Sequence, residues 1–410
     1  MKTVIPAAGA SSRMWPLATQ MHKAFIEICG KPLLSHTIDN LASNGFDDIL
    51  IIVDKRDIER AEKIRKGTKN AKIEVYVSDE HGGMGAELLK VHEKLGEEFI
   101  LASGHAVNAG ETAAALLKLG VCTASICVCE CSDVSEYGKV TLAKDGRTVE
   151  KIEEKPKEGG EGQRIVGTYR LNKEFFKSLK AAGNGHYSFE DALSKLVAKG
   201  QVKAAKATGY QPTLKYPWHL LSLKNFVMER ALPAKPAVSQ KSHVHPSALV
   251  EGRVIVDEGA IIMENAVIKG PAYIGRNAFI GTGTLVRDYS DLEEKASAGF
   301  QTEVKNSLLC SDAHAHRSSV EDSVLGEHVR LGAGTVIANR RFDRATIKSA
   351  GRDGADKDTG ISFFGSAIGD YASVGVNASI MPGVKLGPKS IVMPNCVAKH
   401  DVSEGKTLGD

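Results

Sequence analysis

The chain has 410 residues, which at roughly 150 residues per domain predicts two or three domains and excludes a single small module. Lys and Arg number 53 against 50 Asp and Glu, a net charge of +3, so no excess of positive charge is present to neutralise a nucleic-acid backbone. With 42% hydrophobic and 25% charged residues, the composition is that of an ordinary folded protein and excludes a disordered chain.

Targeting signals and cysteines indicate the compartment. No run approaches eighteen apolar residues, and the start MKTVIPAAGASSRM lacks the charged-then-apolar layout of a secretory signal. Seven cysteines, an odd number, fit a reducing compartment better than a disulfide framework. We therefore expect a cytoplasmic protein that has neither a membrane nor a nucleic acid as its partner.

Apolar runs alternate with amphipathic stretches over residues 1–230. The runs are MKTVIPAAG, DDILIIVD, AKIEVYVS, EEFILAS and TASICVCE, and the amphipathic stretches include KPLLSHTIDNLASNG, IERAEKIRKG and ETAAALLKLG. This alternation is typical of βαβ units and predicts a Rossmann-like α/β domain with a largely parallel sheet. In one of the runs, Cys127, Cys129 and Cys131 share a face; burial is favoured over a zinc site because no CxxC spacing accompanies them.

A proline-rich segment separates this pattern from a different one. We place a linker at 231–245 and a second domain at 246–410. From Val250 to Val286 an aliphatic residue returns every six positions, and the period resumes over 325–337 and 368–392. A six-residue period predicts a left-handed parallel β-helix, with three repeats per triangular coil. Interruptions at about 287–319 and 339–362 are expected to be loops outside the coil.

The first strand runs into a turn of small residues that could present backbone N–H groups to a phosphate. The turn AAGASSRM continues into WPL, then Lys23 and GKP. This stretch resembles the signature of sugar-1-phosphate nucleotidylyltransferases, AAGxGTRMxPLTxxxPK followed by GKP. The later segments YGKV, EKP, GTY and YPWHLL are similar, in order and spacing, to further segments of the family.

The resemblance implies roles for individual residues in transfer from a nucleoside triphosphate to a sugar 1-phosphate. Arg13 and Lys23 would neutralise the triphosphate, and Glu154 and Lys155 would contact the sugar and its 1-phosphate. The remaining implied nucleotide-binding residues are Ala8, Gly9, Ala10, Ser11, Ser12, Gly83 and Gly85, and the remaining implied sugar-phosphate residues are Gly138 and Gly167.

The family's Mg²⁺ ligands are substituted in this chain. The Asp that ends the family's NGD segment falls on His105, and the second ligand falls on Thr213. A hard cation prefers carboxylate oxygen, so we expect the magnesium site to be lost and the nucleotidyl step to be impaired. Three further family positions are also substituted, at Ser78, Met84 and Ile165.

The segments AHAHRSSVEDSVLG and LGAGTVIAN resemble the acetyltransferase part of archaeal-type bifunctional enzymes that act on amino-sugar 1-phosphates. His316 falls on the family's general base, with acetyl-CoA as the co-substrate, and Asn339 and Lys348 fall on sugar-phosphate contacts. The family's Tyr and a second Lys fall on Ser319 and Ala345. Two further interpretations stay open: His314 and His316 as surface residues, or as a pair of metal ligands.

Three functions remain at this point. The chain is either a bifunctional family enzyme, an acetyltransferase with a non-catalytic first domain, or a regulator that binds a nucleotide sugar without turnover. The first is our prediction, with a nucleoside triphosphate, a sugar 1-phosphate and acetyl-CoA as the partners. The flat sides of a left-handed β-helix commonly pack about a threefold axis, which predicts a homotrimer or a multiple of one.

Overall fold

The computed structural model of the chain describes residues 1–78, 82–183, 185–351 and 354–409. The helices are α1 (Leu33–Ser43), α2 (Ile58–Gly67), α3 (Met84–Val91), α4 (Ala109–Leu117), α5 (Phe175–Ala182), α6 (Ser188–Val197) and α7 (His219–Ala231). The first strands are β1 (Lys2–Ala7), β2 (Glu27–Ile28), β3 (Lys31–Pro32), β4 (Asp48–Asp54), β5 (Lys72–Ser78), β6 (Glu98–Ala102), β7 (Ala124–Cys131), β8 (Gly138–Leu142), β9 (Val149–Glu154), β10 (Gly162–Asn172) and β11 (Val202–Lys206).

Short strands follow α7. They are β12 (Ala237–Val238), β13 (His243–Val244), β14 (Leu249–Glu251), β15 (Val254–Val256), β16 (Ile261–Ile262), β17 (Val267–Lys269), β18 (Ala272–Ile274), β19 (Phe279–Ile280), β20 (Leu285–Arg287), β21 (Ser290–Leu292), β22 (Ser297–Ala298), β23 (Glu303–Lys305), β24 (Leu308–Leu309), β25 (His314–Ala315), β26 (Ser319–Glu321), β27 (Val324–Leu325), β28 (Arg330–Leu331), β29 (Val336–Ile337), β30 (Lys348–Ala350), β31 (Asp356–Asp358), β32 (Ala367–Ile368), β33 (Ser373–Val374), β34 (Ser379–Ile380), β35 (Lys385–Leu386), β36 (Ile391–Val392), β37 (Val397–Ala398) and β38 (Thr407–Leu408).

The chain divides into two units. The first comprises Met1–Ala10, Gln20–Phe25 and Leu33–Pro212, and the second comprises Ser11–Thr19, Ile26–Pro32 and Thr213–Asp410. Helix α7 therefore belongs to the second unit, and strands β12 and β13 already lie within the segment expected to be a linker.

The first unit is a Rossmann-like α/β domain, as the alternation predicts. Its sheet has the order β11-β7-β10-β6-β1-β4-β5, in which β1 is parallel to β4 and β6 while β10 is antiparallel to β6 and β7. The five apolar runs form β1, β4, β5, β6 and β7; the quoted amphipathic stretches contain α1 and α2 and all but the first two residues of α4. Helix α1 buries Leu34, Ile38 and Leu41 at helical spacing against this sheet.

The second unit is a parallel β-helix of the left-handed, hexapeptide-repeat type, with three sheets that each take one strand from every coil. We call them the first coil sheet (β12-β15-β18-β21-β24-β27-β32-β35), the second coil sheet (β13-β16-β19-β22-β25-β28-β33-β36-β38) and the third coil sheet (β14-β17-β20-β23-β26-β29-β34-β37). The residues of the six-residue period, such as Ile262, Ile268 and Ile274, fill the axis without solvent exposure.

One of the two expected loops is part of the coil. Over 287–319 the strands β21–β25 continue the three sheets, so the prediction of a loop is wrong there. The axis positions Ala298 and Ala315 are small, and the step from Val304 to Leu309 is five residues instead of six, which hides the repeat from an aliphatic count. The second interruption is confirmed, since β30 and β31 form a separate hairpin before the coil resumes at β32.

A buried polar cluster attaches the β2–β3 hairpin to the coil within the second unit. The N–H of Cys29 donates to Asp291 Oδ2 at 2.8 Å, and the N–H of Gly30 donates to Glu293 Oε1 at 3.0 Å. Lys224 of α7 is fully buried beside them and donates to Asn306 Oδ1 at 3.3 Å. Burial raises the pKa of Asp291 to about 6 and lowers that of Lys224 to about 8.

Candidate functional site

The predicted phosphate turn begins at the carboxyl end of β1. Ala8 is buried, whereas Gly9 and Ala10 are exposed. Because the carboxyl ends of parallel strands meet at one edge of a sheet, the ends of β4 and β6 lie beside this turn. Arg56, which follows β4, donates from Nη2 to the carbonyl of Gly9 at 3.1 Å. The turn is therefore held in place through the carbonyl of Gly9.

A neutral histidine precedes Lys23. His22 is buried, its N–H donates to Asp57 Oδ2 at 2.9 Å, and its Nδ1 accepts from the N–H of Ala24 at 3.2 Å. Burial, with the positive charges of Lys23 and Arg56, lowers the pKa of His22 to about 3. Nδ1 as an acceptor fixes the Nε2–H tautomer. Lys23 itself is half-buried in the 3₁₀ turn Lys23–Phe25.

Arg13, Ser11 and Ser12 lie on a segment that belongs to the second unit. Ser11 adopts the left-handed conformation with φ 52°, and the 3₁₀ turn Ser12–Met14 follows it. The guanidinium-bearing residue Arg13 is exposed, whereas Met14 is buried. The predicted triphosphate residues are thus divided between the two units.

Three of the predicted nucleotide and sugar-phosphate residues of the first unit lie beside the segment His186–Ser188; they are Gly83, Gly85 and Lys155. A Cβ on Gly83, whose φ is +86°, would lie 2.5 Å from the carbonyl oxygen of His186, so only glycine fits at the start of α3. A Cβ on Gly85 would lie 2.3 Å from Ser188 Oγ. The ammonium of Lys155 lies 5.9 Å from the centroid of the Tyr187 ring.

The remaining sugar residues lie on adjoining antiparallel strands. Gly138 of β8 pairs with Glu154 of β9, and a Cβ on Gly138 would lie 3.1 Å from Glu154 Oε2. Gly167 lies at an irregularity of β10 with φ +22°, and its carbonyl accepts from the N–H of Ser103 at 3.0 Å. Burial and, to a smaller extent, the charge of Glu154 raise the pKa of Glu190.

The end of β6 does not fit a magnesium ion. It offers Ser103, Gly104 and His105, where a carboxylate would be required for a hard cation.

Across the described ranges, no three His, Cys, Asp or Glu side chains are grouped to hold a metal, and this includes both the His314/His316 pair and the three cysteines of β7. Thr213 is half-buried and belongs to the second unit. Cys127 is buried with Leu116 and Val166.

His316 lies at a cavity of about 540 Å³ on the second coil sheet. The ring is exposed, and its backbone N–H donates to Leu331 O at 3.1 Å. A Cβ on Gly299 would lie 3.0 Å from His316 Nδ1, so this glycine leaves room for the ring. Phe279, Phe300 and other residues give the cavity an apolar wall; the polar lining includes Thr282, Ser297, His314 and Arg330.

A single carboxylate organises part of the polar wall of this cavity. Asp312 Oδ1 lies 3.1 Å from His314 Nε2, Oδ2 lies 2.7 Å from His328 Nδ1, and Arg330 donates to Oδ2 at 2.5 Å. Burial would raise the pKa of Asp312, but the hydrogen bonds from Arg330 and His328 outweigh it and hold that pKa at about 2. Asp312 is therefore ionised at neutral pH and holds His314 and Arg330 at the cavity.

Asn339 and Lys348 are not among the residues that line this cavity. The amide of Asn339 donates to Glu321 Oε2 at 2.9 Å and to Asp322 Oδ2 at 2.6 Å, which directs its Oδ1 to other donors. Lys348 is exposed at the start of β30.

Sequence reasoning missed Asp322 and Arg56. Asp322 is buried and also accepts from Lys305 at 3.0 Å and from Asn306 at 2.6 Å, so it orients a cation and two amides. Asp322 lies within the segment AHAHRSSVEDSVLG that resembles the acetyltransferase family, and that resemblance is the signal that could have found it. Arg56 could have been found, because it follows a strand predicted to be parallel to β1 and must lie at the same edge.

Known proteins match this chain both over its first half and over its full length. Residues 2–216 match the nucleotidyl transferase family. The chain belongs to that family. The bifunctional sugar-1-phosphate nucleotidylyltransferase/acetyltransferase of Sulfurisphaera tokodaii is 30% identical over 411 residues, which cover 99% of each chain. The bifunctional protein GlmU of Methanocaldococcus jannaschii is 30% identical over 98% of this chain and 96% of its own. The expected family is confirmed.

A solved structure of a Bacillus anthracis protein in complex with a sucrose covers 55% of this chain and 94% of its own, with a TM-score of 0.50 and 18% identity, and this likeness shows the fold alone. Within the described ranges, no helix has both the length and the apolar character needed to cross a bilayer.

Proposed function

We propose that this protein is a bifunctional enzyme whose β-helix transfers an acetyl group from acetyl-CoA to the amine of an amino-sugar 1-phosphate. Its nucleotidyl-transferase part, residues 2–216, binds a nucleoside triphosphate and a sugar 1-phosphate but transfers the nucleotidyl group slowly. The observation that carries the proposal is the exposed His316 at an apolar cavity whose polar wall contains Arg330. The Sulfurisphaera tokodaii relative, which matches over its full length and is named for both activities, supports it.

The acetyl step needs a base at the sugar's amine. The amine attacks the thioester carbonyl carbon, a C–N bond forms, the C–S bond breaks, and the CoA thiolate leaves. The His316 ring accepts the proton that the amine loses, and general-base catalysis of this kind contributes about 10²–10⁴-fold. The guanidinium of Arg330, which Asp312 holds at the cavity, would donate to a phosphate of CoA.

Release of CoA tests the acetyl step. With acetyl-CoA and glucosamine or galactosamine 1-phosphate, the wild type should release thiol equally with and without EDTA. The variant His316→Ala should be slower by about 10²-fold or more. His400→Ala, which removes an exposed histidine elsewhere on the coil, is the control and should retain the wild-type rate. Equal rates for His316→Ala and the wild type would exclude His316 as the base.

The residues at the end of β6 carry the second part of the proposal. The family's transfer generally uses Mg²⁺, and an imidazole at His105 is a poor ligand for that ion. With Mg²⁺, a panel of triphosphates and sugar 1-phosphates, the wild type should release pyrophosphate much more slowly than the family's bifunctional enzymes.

Restoring a carboxylate tests the cause. His105→Asp should raise the rate of pyrophosphate release about ten-fold or more, whereas His105→Asn, of the same size but neutral, should not. Rapid release by the wild type would contradict the impairment. No release by any of the three proteins would favour an acetyltransferase with a non-catalytic first unit.

A further inference from the structure

Lys385 is a buried lysine at the start of β35 to which no role has been assigned. It is only 2% exposed, and its ammonium donates to the carbonyl of Ala350. The same ammonium lies 5.8 Å from the centroid of the Trp15 ring and 5.6 Å from that of Trp218. Both distances are within the range of a cation–π interaction. All four residues belong to the second unit.

One partner of Lys385 belongs to the segment of the triphosphate turn. Trp15 follows Arg13 by two residues, with the buried Met14 between them. The next residue, Pro16, approaches the coil so closely that a Cβ on Gly369 would lie 2.8 Å from its carbonyl oxygen. The position of the chain just after Arg13 is therefore fixed by the coil and by Lys385.

Another partner belongs to the hairpin that carries Lys348. Ala350 follows Lys348 by two residues in β30. Between them, the hydroxyl of Ser349 donates to the carbonyl of Gly383 at 2.8 Å, so the hairpin is attached to the turn that leads into Lys385. A Cβ on Gly383 would lie 2.1 Å from the carbonyl oxygen of Lys348, which shows how close this approach is.

We propose that Lys385 is a positioning residue that couples the segment of Arg13 and Trp15 to the hairpin that carries Lys348. Binding of a triphosphate at the segment would then favour binding of the amino-sugar phosphate at the hairpin, and the reverse. A buried ammonium requires its partners, because an unpaired charge in the interior is costly. Fixing Trp15 therefore favours the arrangement in which Ala350, and with it Lys348, is in place. Such a coupling is reciprocal by thermodynamic necessity. The inference rests on the proposed function for what Arg13 and Lys348 bind.

Tryptophan fluorescence reports on this contact directly, because the chain has two tryptophans and both face the Lys385 ammonium. Titration of the full chain with UTP should quench or enhance this signal. Saturating glucosamine 1-phosphate should lower the dissociation constant for UTP by about five-fold or more. The measurement needs no turnover, so it does not depend on whether either reaction occurs.

Variants test whether the effect of glucosamine 1-phosphate on UTP binding depends on Lys385. Lys385→Met and Lys348→Ala should each abolish the effect of glucosamine 1-phosphate on UTP binding, whereas Lys389→Met, at an exposed lysine of the next turn, should retain it. If Lys385→Met does not fold, Trp15→Leu tests the same contact with Trp218 as the reporter.

The outcomes are distinct. An effect that persists in both Lys385→Met and Lys348→Ala, or a wild type that binds UTP without any effect of the sugar phosphate, would overturn the coupling. A wild type that gives no signal with UTP or with any other nucleoside triphosphate of the panel would instead contradict the proposed function, and the coupling with it.

Discussion

At the scale of single residues, His22 illustrates how burial sets charge in the first unit. Its ring lies among Lys23, Arg56 and the backbone of Gly9, so a proton on it would add a third positive charge without solvent. The lowered pKa, about 3, keeps the ring neutral. A neutral His22 leaves Lys23 as the cation that the resemblance assigns to the triphosphate.

This neutrality makes stability depend on pH. The unfolded chain protonates His22 below its ordinary pKa of 6.5, whereas the folded ring stays neutral down to about 3. The unfolded state therefore binds more protons between these values, and the free energy of unfolding falls as the pH falls through that window. The slope from this residue is at most about 1.4 kcal/mol per pH unit.

His22→Asn should remove that slope, since the Asn oxygen can accept from Ala24 N–H as Nδ1 does. Urea unfolding at pH 7 and pH 5, followed by circular dichroism at 222 nm, measures it, because most of the described helices lie in the first unit. The wild type should lose more stability than His22→Asn between the two pH values. His186→Asn, at an exposed histidine of the same unit, should behave like the wild type. Equal losses in wild type and His22→Asn would contradict the prediction.

At the scale of secondary-structure elements, the corners of the coil are set by residues in the left-handed conformation. Asn277 has φ 56°, and its Oδ1 lies 2.1 Å from the place that a Cβ on Gly259 would take in the coil below. The left-handed region costs an ordinary L-residue about 1–2 kcal/mol, whereas Gly and Asn adopt it readily.

Asn277→Val should therefore destabilise the β-helix by about 1–2 kcal/mol, and Asn277→Gly by less than about half of that. Tryptophan fluorescence during urea unfolding follows the second unit, which holds both tryptophans. Arg276→Val, at the exposed neighbouring position, is the matched control and should be nearly neutral. A Val variant as stable as the Gly variant would show that the corner carries no conformational cost.

The elements also show what a sequence can reveal about this fold. The aliphatic period predicted the coil because each axis residue, such as Ile274, must be apolar in every repeat. It did not extend across Ala298 and Ala315, where a small side chain fills the axis equally well. Nor could it show that Asp291 and Glu293 are buried, because the hairpin that covers them is about 260 residues away in sequence.

The residues of the candidate site likewise fall into those that a sequence motif indicates and those that only the structure brings together. Residues within a contiguous motif, such as Gly9 or His316, could be proposed from the sequence because the motif lies in one short stretch of the chain. The structure adds residues that act through space: Arg56 on the Gly9 carbonyl, and Asp312 and Asp322 as the carboxylates that orient cations and amides. Arg56 could be inferred from its place after a parallel strand, whereas the contacts of Asp312 and Asp322 run between neighbouring coils, which no local spacing encodes.

At the scale of the whole molecule, the exposed faces of the coil indicate how the chain assembles. Aliphatic and aromatic residues recur at outward positions of the second coil sheet, where Ile261, Phe279 and Ile391 are 37–43% exposed. On the third coil sheet, Val336 and Val397 are each 46% exposed. Apolar side chains repeated along a flat face are typical of an interface rather than of a free surface.

We expect these faces to pack against further copies of the chain about a threefold axis. Light scattering after size-exclusion chromatography should give three times the chain mass, or a multiple of it. Val336→Glu combined with Val397→Glu should reduce that mass to one chain, because two carboxylates on each copy would be buried without partners. Val121→Glu, at an 82% exposed valine of the first unit, should leave it unchanged. A wild type that elutes with the mass of a single chain would contradict the trimer, and the apolar rows would then need another partner.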